Sequence, residues 1–342
     1  MKKDLRLPFE VKERNIIKKR DSKSDSNYGF DPYKRSVEEL LKYGVINIDK
    51  PKGPTSHQVS AYVQQILGIS KAGHSGTLDP AVTGCLPVAL GRATRIVQTL
   101  LTAGKEYVAI MHIHKPIEEY QIFQVAEKFT GKIRQLPPIK SAVKRQYRER
   151  TVYYLKIIEV KGQDVLFRVG CEAGTYIRKL IHDMGKELGV GAHMAELRRT
   201  KAGPFNEDKY LATLQNVSDA FFYYKEENDE SHIRKIVRPM EEAVDHLAKI
   251  WITDSTIDAI CHGADLAAPG IAELHDGIEP DQLVALMSLK GELVAYGRAK
   301  VNSSKMLEPK GIVVNTMKVF MDTGTYPKIK KETTPTTSVD KV

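Results

Sequence analysis

A chain of 342 residues, 42% hydrophobic and 28% charged, can bury the cores of about two domains at roughly 150 residues each. Lys and Arg number 52 against 43 Asp and Glu, and the net charge of +9 favours a polyanionic partner. No stretch approaches the roughly 18 consecutive apolar residues of a membrane helix, the first residues lack the apolar run of a secretion signal, and Cys85, Cys171 and Cys261 form no Cys-x-x-Cys pair; the expectation is a cytoplasmic protein with neither a disulfide framework nor a structural metal.

Residues 1–36 carry eleven Lys or Arg against six Asp or Glu, with few aliphatics and the polar run Asp21 to Asn27. Burial cannot offset the ordering of such a segment, so the extension 1–40 is expected to be disordered or to lie against another surface, with the folded part starting near residue 41. Tyr43 to Asp49 is a short β-branched run stopped by Pro51-Lys52-Gly53-Pro54, a strand and a turn. Thr55 or Ser56 then caps a helix with Val59, Val63, Ile66 and Leu67 on one face, ended by Gly68. The glycines and prolines of residues 73–91 predict a loop without a long regular element. Helical spacing returns at Ile96, Val97, Leu100 and Leu101, Glu106 to Ile113 alternates as a strand, and residues 152–160 and 164–171 form a hairpin about Gly162. Gly174-Thr175 opens a helix whose Ile177, Leu180, Ile181, Met184 and Leu188 make one apolar stripe. Strands mixed with single amphipathic helices indicate an α/β or α+β fold for residues 41–247. Residues 207–248 read as helical, with Pro239 at a helix N1 position. From Trp251 the texture changes to short strands and small turns, among them a hairpin over 283–301 turning at Lys290-Gly291 and a strand over 312–321, which suggests a compact β-barrel over 248–325 and a flexible tail over 326–342.

Asp79, before Pro80 in a glycine-rich stretch, is most simply a turn-capping residue; Gly73, Gly76 and Gly84 would also let a bulky ligand approach a carboxylate able to act as nucleophile or base. Arg178, in the first turn of its helix, is either a solvated arginine or the partner that keeps Asp79 ionised and oriented. Tyr107 is a half-buried strand residue or a surface on which a base stacks. His74 is a loop donor or a base contact, and His112 and His114 share a strand face with no third ligand of suitable spacing nearby, so no metal is expected. The cluster Lys144, Arg145, Arg148 and Arg150, with Tyr147 among them, and the pair Arg198-Arg199 are basic patches suited to phosphate contacts.

Five stretches in order carry a resemblance: Lys50-Pro51 after a strand, Gly73 to Pro80, Lys105-Glu106-Tyr107, Gly174 to Arg178 and Gly191 to Thr200. Together they resemble the TruB family of RNA pseudouridine synthases over about residues 40–247, and 248–325 resemble a PUA RNA-binding domain. Within the family, Pro137 to Arg145 and the basic extension are similar to the archaeal dyskerin branch, the catalytic subunits of H/ACA guide ribonucleoproteins, with Ile139-Lys140 standing where Leu-Arg is commoner. The resemblance implies a mixed α+β catalytic domain with a central mixed or antiparallel sheet and flanking helices, and an N-terminal extension packing near the PUA domain. It implies Asp79 as the catalytic carboxylate acting on a flipped uridine, Tyr107 stacking on the base, Arg178 paired with Asp79, Leu197 against the base, His74 propping the vacated space, and Lys50 and Pro51 supporting the floor. It implies no cofactor, an H/ACA guide RNA, an rRNA or tRNA substrate, and three small partners: a zinc-ribbon, a Gar-type and a kink-turn-binding protein. A stand-alone tRNA synthase acting on the TΨC loop, a non-catalytic RNA scaffold and, with no motif offering a second carboxylate, a glycoside hydrolase are the alternatives.

Overall fold

The computed structural model describes residues 5–137 and 144–328, so Pro138 to Val143 of the basic loop and the tail from residue 329 lie outside the described residues. The chain divides into two compact units. One is formed by the stretch ending at Glu13 together with Tyr33–Leu247, the other by Arg14–Pro32 together with the stretch from Ala248 onward.

The larger unit is built on an eleven-stranded sheet. Its central path runs Gly44–Lys50, Thr83–Leu90, Ala192–Ala202, Lys105–Ile113, Asp164–Cys171, Arg148–Lys161 and Gly131–Gln135. The pairing along this path is antiparallel except between Thr83–Leu90 and Ala192–Ala202, so the sheet is mixed and the fold is α+β. Helix Ile177–Glu187 forms where expected and turns Ile177, Leu180, Ile181 and Met184 onto Phe167 and Val169, each fully buried side chain contributing about 1.5–3 kcal/mol. Helix Ser56–Ile66 is capped by Thr55, whose hydroxyl accepts from the Gln58 N–H at 3.1 Å; Val59 and Val63 close a second core over Ile46, Ile48, Leu86 and Val88.

Three expectations are corrected in this unit. Residues 73–91 contain an eight-residue strand, Thr83–Leu90, whose Pro87 carbonyl accepts from Ser75 N–H at 2.9 Å just where the short strand Ala72–His74 ends, so the proline's missing donor faces the end of a ladder. Residues 207–248 hold only two helices, Leu214–Glu226 and Ser231–Ile236, and Pro239 ends a short strand and precedes a 3₁₀ turn rather than opening an α-helix. Order also begins well before residue 41: Leu7 is fully buried and Ser36 caps a helix over Val37–Tyr43.

The smaller unit is a seven-stranded sheet around Ile250, Ile257, Leu274, Leu286 and Val314. Strand Ile16–Lys18 pairs with Ile271–His275 at its edge, and the Lys290 ammonium donates to the Asp25 carbonyl at 2.8 Å and to that of Tyr28, so Arg14–Pro32 is part of this unit. Tyr326, expected in the tail, is 1% exposed and donates to Glu292 at 2.6 Å, so order runs past residue 325.

Candidate active site

Asp79 rides on a loop whose backbone is fixed on both sides. Ser56, fully buried in the first turn of its helix, accepts from the Leu78 N–H at 2.8 Å and donates to the Leu78 carbonyl at 3.2 Å. The buried Lys50 ammonium donates to the carbonyls of Pro51 (2.8 Å), Pro80 (3.2 Å) and Val82 (2.8 Å), and the Gly53 N–H also binds the Pro80 carbonyl. Burial pulls the Lys50 pKa down while the negative charge of Asp79 opposes it. Pro51 is exposed and contributes its carbonyl.

Across 99 residues of sequence, Arg178 Nη2 donates to Asp79 Oδ2 at 2.6 Å. Arg178 is placed by the start of its helix, where the buried Gln135 amide accepts from the Tyr176 N–H at 3.0 Å and donates to the Tyr176 carbonyl at 3.1 Å. The Asp79 and Arg178 side chains are 56% and 62% exposed, so the described residues do not enclose the pair in a dry pocket. At that exposure an ion pair contributes only about 0–1 kcal/mol, so its effect is to orient the carboxylate rather than to stabilise the fold.

Tyr107 is half-buried on strand Lys105–Ile113, opposite Arg199 on the neighbouring strand. Burial raises its phenol pKa, and the nearby Arg199 charge opposes the rise. Leu197 and Tyr107 pack against the same core. Glu106 is buried on the same strand and accepts from Thr200 Oγ1 at 2.7 Å and from the Tyr154 hydroxyl. Lys105 Nζ donates to the carbonyls of Leu100, Leu101 and Ala103, and burial brings its pKa down to about 7. His74 is half-buried with Nδ1 unpartnered, and burial with the Arg199 charge lowers its pKa, which favours the neutral ring.

The basic candidates separate. Lys144 and Arg145 are exposed. Arg148 is half-buried with an unpartnered Nε, and Arg150 lies 3.5 Å from Glu172 against the turn at Gly174, which is support for the Arg178 helix rather than a free surface charge. Arg198 is held by Asp49 (3.0 Å) and Glu207 (2.8 Å). Arg199 is corrected outright: at 1% exposure it is an interior group, because strand alternation sends it and Arg198 to opposite faces. The histidine expectation also changes, since His193 comes within 3.0 Å of His114 while His112 binds Asp164; still, among the described residues no group of three or more metal-ligating side chains is placed to hold an ion. Ser56 and Gln135 were not among the sequence candidates; Ser56 showed only as a possible helix cap, and Gln135 gave no signal.

Family models match in chain order: "DKCLD (NUC011) domain" over residues 4–60, "TruB family pseudouridylate synthase (N terminal domain)" over 64–177, "tRNA pseudouridylate synthase B C-terminal domain" over 178–245 and "PUA domain" over 248–320. They describe an RNA-modifying catalytic domain followed by an RNA-binding one. The chain is 56% identical to the "Probable tRNA pseudouridine synthase B" of Pyrococcus furiosus, over 94% of this chain and 95% of that one, and 56% identical to the protein so named in Methanopyrus kandleri, over 95% and 96%. The solved "Crystal Structure of a Cbf5-Nop10-Gar1 Complex" contains a chain 55% identical with TM-score 0.91, covering 94% of this chain and 98% of that one. A "Structure of H/ACA RNP bound to a substrate RNA containing 2'-deoxyuridine" matches at 52% identity and TM-score 0.89, covering 94% and 99%. The chain belongs to the TruB family of pseudouridine synthases and is an RNA isomerase carrying a C-terminal PUA domain. No helix among the described residues is long and apolar enough to cross a membrane.

Proposed function

We propose that this enzyme converts chosen uridines of rRNA, and of tRNA, to pseudouridine under the direction of an H/ACA guide RNA, with Asp79 as the catalytic carboxylate. The observation that carries the chemistry is the Asp79–Arg178 contact at 2.6 Å on a loop clamped by Ser56 and Lys50. A duplex hides the glycosidic bond, so the target nucleotide must be flipped toward the carboxylate. In the isomerisation the C1′–N1 bond breaks and a C1′–C5 bond forms, C5 loses its proton and N1 gains one; no oxidant, reductant or water is consumed. Tyr107 stacks on the base, Leu197 packs beside it, His74 fills the vacated space, and the exposed Lys144 and Arg145 contact phosphates. The open position of Asp79 among the described residues fits this reading, because bound RNA would cover it.

Guide dependence is supported by the likeness over 94% of the chain to proteins solved with Nop10 and Gar1 and within an H/ACA particle. The partners proposed are therefore the guide RNA and small zinc-ribbon, Gar-type and kink-turn-binding proteins. The name of the archaeal relatives favours a second reading, direct action on tRNA. Tritium release from C5-labelled uridine separates the two. We expect release from an rRNA fragment only with a matching guide and partners, and its loss in Asp79→Asn with RNA affinity unchanged. Equal release from a bare tRNA stem-loop with and without guide would favour the second reading, and an active Asp79→Asn would remove the aspartate from the mechanism.

A further inference from the structure

Arg199 is among the largest of the fully buried side chains, and it forms no ion pair with a carboxylate among the described residues. Its Nε donates to the Cys85 carbonyl at 2.7 Å and its Nη2 to the Gly76 carbonyl at 3.3 Å, and its strand places it opposite Tyr107 on the neighbouring strand. The groups around it are themselves basic: Lys50, His74 and Lys105 all feel its charge as a force toward deprotonation. A buried cation without an acid is costly, and an apolar side chain of similar volume would serve packing better. The backbone is fitted closely around it, since a Cβ at Gly84 would stand 2.2 Å from the Arg199 carbonyl oxygen.

We propose that Arg199 is a positioning residue that ties the Asp79 loop to the strand pair carrying Tyr107, gripping the Gly76 carbonyl with its fork while its own strand holds it opposite Tyr107, so that carboxylate and ring keep a fixed relation while a nucleoside is flipped between them. This rests on the reading of Asp79 and Tyr107 as the reacting site. A fork of fixed geometry does this where a flexible ammonium does it only in part.

The test uses the full chain with its guide RNA and partners and compares Arg199→Met, Arg199→Lys and Asp79→Asn in single-turnover isomerisation, RNA affinity and thermal unfolding. Arg199→Met is expected to slow the single turnover by about tenfold or more with RNA affinity within about twofold of wild type, and Arg199→Lys to lie between the two. A Met variant within about twofold of the wild-type rate, a Lys variant no faster than the Met variant, or a rate loss matched by equal loss of RNA binding would each overturn the proposal. Should Arg199→Met fail to fold, Arg199→Lys decides: a rate lowered by about threefold at unchanged affinity supports the tie, and an unchanged rate refutes it. Asp79→Asn as active as wild type would defeat the reading of the site and this proposal with it, whereas an inactive Asp79→Asn beside an unimpaired Arg199→Met would defeat this proposal alone.

Discussion

Ser56 and Ser60 lie one turn apart on the same helix and are both buried, yet their hydroxyls have different duties. Ser56 serves both the N–H and the carbonyl of Leu78, whereas Ser60 only returns a bond to the Ser56 carbonyl at 3.1 Å within its own helix. Ser56→Ala therefore strands a buried N–H next to Asp79, a loss of about 1–3 kcal/mol. Ser60→Ala removes a redundant bond and gains helix propensity, so its net effect stays within about 0.5 kcal/mol. In a unit of this size each kcal/mol moves Tm by about 2–4 °C, which predicts a fall of about 2–12 °C for Ser56→Ala and under about 2 °C for Ser60→Ala. Thermal unfolding followed by near-ultraviolet circular dichroism gives the comparison, and hydrogen exchange at the Leu78 amide shows whether the loss is local. Equal Tm shifts in the two variants, or an undiminished protection of the Leu78 amide in Ser56→Ala, would refute the assignment of Ser56 as the clamp.

Three further expectations follow from the same geometry. Lys105 has a folded pKa of about 7, below its unfolded value, so between pH 7 and about 10 the unfolded chain binds more protons and stability rises with pH. Relative to Lys105→Met, the wild type should gain up to about 1.4 kcal/mol per pH unit from pH 7 to 9 in urea unfolding, and a flat difference would contradict the buried, depressed lysine. Gly84→Ala should destabilise by about 3 kcal/mol or more, because φ there is +101° and the new Cβ would strike the Arg199 backbone; a near-normal urea midpoint would show that the strands separate more easily than their packing indicates. Lys144→Ala and Arg145→Ala should each reduce the slope of log affinity for RNA against log salt by about 1 while leaving the single-turnover rate at saturating RNA unchanged, which filter binding across a salt series would read.

Local periodicity made the Lys105–Ile113 strand, the hairpin about Gly162 and the Ile177–Glu187 helix legible, because each is written in contiguous residues that need no distant partner to declare their pattern. Thr83–Leu90 was hidden by Gly84 and Pro87, which read as turn formers in isolation. The glycine is needed for close approach to a strand more than a hundred residues away, and the proline sits where a ladder ends. The acidic and basic texture of the first 36 residues concealed Leu7, Ile17 and Tyr28, side chains whose packing partners lie far along the chain. The motif around Asp79 and the one ending in Arg178 could each be seen, but nothing within either stretch states the 2.6 Å between them. Arg198 and Arg199 make the same point at adjacent positions. As residue types they are identical, and only pairing of their strand with neighbours on both sides decides which guanidinium meets Asp49 and Glu207 and which is driven inward against Tyr107, since a strand turns successive side chains to opposite faces and the sheet alone determines which face is the interior.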